Sequence, residues 1–75
     1  MTGNGPKSHR VPLEGLVMPN LPNVNWITDR FDHVFRAEIT VFGHETIAIT
    51  TGAWPGSEGW LAWRERMIKL ANAVA

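Results

Sequence analysis

Four prolines, three glycines and four asparagines fall within the first 25 of the 75 residues. That composition excludes a regular helix or strand over most of a third of the chain. The same stretch carries Val11, Leu13, Leu16, Val17, Met18, Leu21 and Val24. Low hydrophobicity is what keeps a solvated tail disordered, so this segment does not read as one. An apolar, proline-stiffened arm suits a stretch that lies on something, either its own small domain or a partner. The chain therefore divides into an arm, residues 1–25, and a domain, residues 26–75.

A domain of 50 residues buries only about 60% of its unfolded-chain surface and is marginal alone. The usual remedies are disulfides, a structural metal or oligomerisation. There is no cysteine, which excludes disulfides and thiolate zinc sites. Oligomerisation or docking into a larger body is the remedy left. Seven Lys and Arg balance seven Asp and Glu, which argues against a nucleic-acid module built on a basic surface. No run of 18 apolar residues exists to span a membrane, and Pro12, Glu14, Gly15 and Pro19 interrupt the apolar core a signal peptide needs. These features lead us to expect a soluble protein, cytoplasmic or part of a virus particle.

Beyond the arm, the pattern specifies elements. Asn25 to Val34 is a junction in which Thr28, Asp29 and Asp32 cap one short helical turn, with Trp26, Ile27 and Phe31 as its apolar side. An extended reading fits nearly as well. Phe35, Ala37, Ile39 and Val41 then alternate with Arg36, Glu38 and Thr40, and Ile47 and Ile49 alternate with Thr46, Ala48 and Thr50. That period of two predicts a β-hairpin. A two-residue Gly43-His44 loop would turn Ile47 to the polar face, which side-chain parity forbids. A Gly43-His44-Glu45 loop, pairing Val41 with Ile47 and Ile39 with Ile49, gives the best apolar match. A Val41-Phe42-Gly43 loop, pairing Ala37 with Ile47, is the competitor.

Pro55-Gly56 ends the sheet, and Ser57 reads as the N-cap of a helix running from about Glu58 towards the C-terminus. Trp60, Trp63, Met67, Leu70 and Val74 form an apolar stripe widened by Leu61, Ile68 and Ala71, the face that covers the hairpin. The expected fold is a small α+β unit: hairpin, C-terminal amphipathic helix and extended N-terminal arm. One helix on two strands leaves both sheet edges open. A third strand is expected from the arm, Leu16 to Met18 being the best stretch, or from a second chain.

Chemistry-bearing residues are sparse. His33 lies near Asp29 and Asp32, and His44 beside Glu45, but no spacing matches a metal motif. An Asp29–His33 ion pair is the simpler reading of the first cluster. Ser8 and Ser57 have no histidine placed to activate them. We therefore expect no catalytic residues, no metal and no cofactor. The residues expected at an interface are Leu13, Leu16, Val17, Met18, Leu21, Trp26 and Trp54, since interfaces are enriched in tryptophan and the arm is apolar. The function expected is non-enzymatic: an interaction or assembly subunit, such as a phage structural or accessory protein, that forms homo-oligomers or joins a larger complex through its arm and open sheet edge. The alternative is a small regulator that binds a cellular enzyme or, as a last choice, DNA.

Overall fold

The computed structural model describes residues 17–75. Three antiparallel strands in the order β1-β2-β3 form one sheet: β1 is Val24–Thr28, β2 Val34–Val41 and β3 Glu45–Thr50. One helix, α1, spans Glu58–Ala73 and packs on one face of the sheet, closest to β2. The expected α+β hairpin and C-terminal helix are both present. The arm's residues 1–16, including Leu13 and Leu16, lie outside the described residues.

The third strand comes from the junction and not from Leu16–Met18, of which Val17 and Met18 are outside the strands. β1 crosses the boundary drawn between residues 25 and 26. No helical turn forms at the junction. Trp26 and Ile27 are consecutive apolar residues on opposite faces of β1, a pattern that masks the period of two. Trp26 lies opposite Ala37 and Val24 opposite Ile39, while Asn25 meets Glu38 on the other face. Asp29 instead organises the β1–β2 loop: its Oδ1 accepts the Phe31 and His33 amides at 2.8 and 3.0 Å. Asp32 adopts a φ of 64° there, a left-handed conformation that aspartate tolerates better than most residues.

In the β2–β3 hairpin, Ile39 opposes Ile47, Ala37 opposes Ile49 and Val41 opposes Glu45. This register lies midway between the two expected ones. Parity is kept, so Ile39, Ile47 and Ile49 all face α1, but the three loop residues are Phe42, Gly43 and His44. The Val41 carbonyl accepts the His44 amide at 2.9 Å. Phe42 and Gly43 have φ values of 49° and 73°, the double positive φ of a type I′ turn. Apolar matching alone misplaced the loop: an isoleucine pair is kept as Ile39–Ile47, and the Val41–Ile47 match is given up so that Phe42 and Gly43 form the turn. A bulge ends the β1–β2 ladder: Ile27 opposes Arg36 and Thr28 opposes Val34, leaving Phe35 as the extra residue. The bulge turns Val34 into the core, where it is buried.

α1 follows a tight turn. The Trp54 carbonyl accepts the Ser57 amide at 2.9 Å, with proline second and Gly56 third at φ 83°, as a type II turn requires. Ser57 caps the helix as expected, its Oγ accepting the Trp60 amide at 3.2 Å. Trp60, Trp63, Met67 and Ala71 are the buried residues of α1, and with Val34, Ala37 and Ile39 they make the core. Leu70 and Val74 flank them, half-buried. The Trp60 indole donates to the Val34 carbonyl at 2.8 Å, and the Val74 carbonyl accepts the Phe42 amide. α1 therefore runs parallel to β2, from one end to the other.

The end of the arm lies back on this core. Met18 and Leu21 pack against it, and the Trp26 indole donates to the Pro19 carbonyl at 2.9 Å. Arg64 donates to the Val17 carbonyl at 3.0 Å. Asn23 Nδ2 donates to the Ala71 carbonyl at 2.9 Å and to that of Thr40 at 3.3 Å. It thus satisfies a carbonyl in the last turn of α1, where helical partners run out.

Candidate interaction surface

The sheet's backbone defines the surface. In an antiparallel ladder, residues alternate between those whose N–H and C=O face one neighbour and those whose groups face the other. The Thr51 amide donates to Phe35 O at 2.8 Å, so with the observed register Glu45, Ile47 and Ile49 bond to β2. Thr46, Ala48 and Thr50 therefore direct their backbone groups away from β2. No described strand lies on that side of β3. The same alternation places the Thr40 amide on Asn23 O at 2.8 Å on the β1 side.

The two outer strands of the sheet differ. At β1, the Val24 amide already donates to Leu21 O at 3.1 Å, Pro22 stands two residues before the strand, and the bulge at Thr28 ends it. Prolines and bulges are the usual guards of a sheet edge. β3 has none of these. Thr46 to Thr50 contains no charge, proline or glycine, and four of its five residues are β-branched. The side chains of Thr46, Ala48 and Thr50 are exposed on the sheet's outer face, and Ile47 and Ile49 are half-buried on the α1 side.

The tryptophans separate into two roles. Trp60 and Trp63 are core residues, and Trp26 packs edge-on to Trp63 with ring centroids 6.3 Å apart. Trp54 is 80% exposed at the turn before α1. Among the expected interface residues, Met18, Leu21 and Trp26 are half-buried against the chain's own core, whereas Val17 and Trp54 stay exposed. Exposed Phe31 and Phe42 sit on the loops at opposite ends of β2, and sequence reading passed over both as surface candidates. The β3 edge strand was legible as an alternating run. That no described strand lies on its outer side was not legible, because that depends on which side the third strand joins.

The titratable residues make local structure. His33 Nδ1 lies 3.7 Å from Asp29 Oδ2, the expected pairing, although the intervening loop is not helical. The Asp29 carboxyl is held below its ordinary pKa, first by the backbone amide of His33 and also by that of Phe31. Among the described residues no three His, Asp or Glu side chains converge as metal ligands. No helix among them is long and apolar enough to cross a membrane. In comparisons with known proteins, no family model, no curated protein and no solved structure matches this chain.

Proposed function

We propose that this chain is a non-enzymatic protein-interaction or assembly subunit that docks by adding a strand to the edge of β3 that no described strand covers. The observation that carries this reading is the uncharged, β-branched edge from Thr46 to Thr50, whose outward N–H and C=O groups form a ready template for another strand. Exposed Trp54 supplies an aromatic anchor of the kind that dominates interface energetics. A small domain with one helix and three strands gains from burying that edge, because its own core is limited. By analogy, the setting is a multi-subunit assembly such as a phage particle.

Amide hydrogen exchange tests this on the full-length chain, read at Thr46, Ala48 and Thr50 in every assembled state that sedimentation detects. Protection of those three amides on assembly is the expected result. Assemblies in which they exchange as fast as in the isolated chain would rule out edge docking.

A further inference from the structure

Residues 46–50 read Thr-Ile-Ala-Ile-Thr, a palindrome centred on Ala48. The geometry points to a second copy of this chain as the occupant of the β3 edge, joined antiparallel about a two-fold axis at Ala48 to make a six-stranded sheet. This inference rests on the edge-docking reading and adds its partner and register. A two-fold interface must match itself, and a palindrome of outward and inward residues does so at every position. With Ala48 opposite Ala48 of the second copy, Thr46 meets Thr50 and Ile47 meets Ile49 across the new ladder. The outward groups of Thr46, Ala48 and Thr50 then bond in pairs, as an antiparallel ladder demands. The half-buried isoleucines extend the apolar layer under α1, and the threonines pair on the outer face, both favourable cross-strand combinations.

Charge supports the match. Like charges directly opposite one another destabilise a ladder. Glu45 meets Thr51 in this register, and no charged residue lies between Thr46 and Gly52. Glu38, opposite Ala48 within the chain, is already bonded to Asn25 and lies 3.7 Å from Arg36. Its copy lies three strand spacings away, about 14 Å, which is beyond the physiological screening length of about 8 Å. The β1 edge, with a proline, a used amide and a bulge, offers no comparable template.

The chain has no native cysteine, so engineered ones report the geometry without ambiguity. Paired residues in this ladder have Cα atoms about 5.5 Å apart, within disulfide reach. Under mild oxidation of the full-length chain, Ala48→Cys should cross-link to its copy. Thr46→Cys should cross-link when mixed with Thr50→Cys but not alone, since identical positions 46 lie four residues, about 13 Å, out of register. Ala48→Pro removes an outward amide and leaves the bonds to β2 intact, so it should sediment as a folded monomer where the wild type is a dimer. A dimer that protects the edge amides but does not cross-link through position 48 would overturn the two-fold pairing while sparing edge docking. A wild-type chain that stays monomeric at every concentration would overturn it too, and edge amides protected only by a foreign partner would then show what takes its place. Should Ala48→Pro not fold, the cysteine pairs decide alone.

Discussion

At the Asp29 carboxylate two backbone amides converge, and this one residue closes the junction where the sequence pattern predicts a helical turn. Asp29 accepts bonds from the amides two and four residues on, which closes the loop without a turn of helix. Sequence reading identified Asp29 as a cap and His33 as its partner, but the capping pattern is shared by helix starts and by loops. Because the folded carboxyl is held below its ordinary pKa, chiefly by the His33 amide, its stabilisation is present above the unfolded pKa. It is lost as pH falls through the folded one. The amide signals of Phe31 and His33 should therefore titrate together, with a midpoint below that of an unperturbed aspartate, and Asp29→Asn should abolish that titration. A midpoint at or above that of an unperturbed aspartate would contradict the assignment.

At the scale of elements, α1 was legible from its cap and its stripe, but its central residues were not ranked by sequence. Ala71 is fully buried at the centre of the stripe, while Leu70 and Val74 pack half-buried against the core beside it. Two adjacent buried tryptophans differ in one respect. The Trp60 indole satisfies the Val34 carbonyl at the bulge, whereas Trp63 Nε1 has no partner among the described residues. Replacing Trp60 by phenylalanine leaves a buried carbonyl without its donor, whereas the same change at Trp63 removes a donor that had no acceptor among the described residues. Both lose similar packing volume. Trp60→Phe should cost more than Trp63→Phe by about 1–3 kcal/mol in chemical denaturation. Equal losses would show that the indole bond contributes nothing net.

For the whole molecule, stability and association are linked. A partner that binds only the folded state raises the unfolding midpoint with concentration. If β3 pairs with a second copy, the melting temperature of the full-length chain should rise as its concentration is raised, and Ala48→Pro should remove that dependence. A midpoint independent of concentration in the wild type would count against self-assembly. Sequence alone determined the period-two hairpin, the capped helix, the parity that keeps the hairpin's isoleucines on one face and the uncharged palindrome at residues 46–50. Each of these is a local pattern, repeated within a few residues along the chain. Only the tertiary structure decided that Val24–Thr28 supplies the third strand, that the hairpin turns at Phe42-Gly43, and that β1 joins on the side of β2 away from β3. Those outcomes depend on contacts between residues far apart in the chain, such as Asn23 with Ala71 and Trp26 with Trp63. The edge that no described strand covers follows from them, because it is set by the side of β2 on which β1 joins.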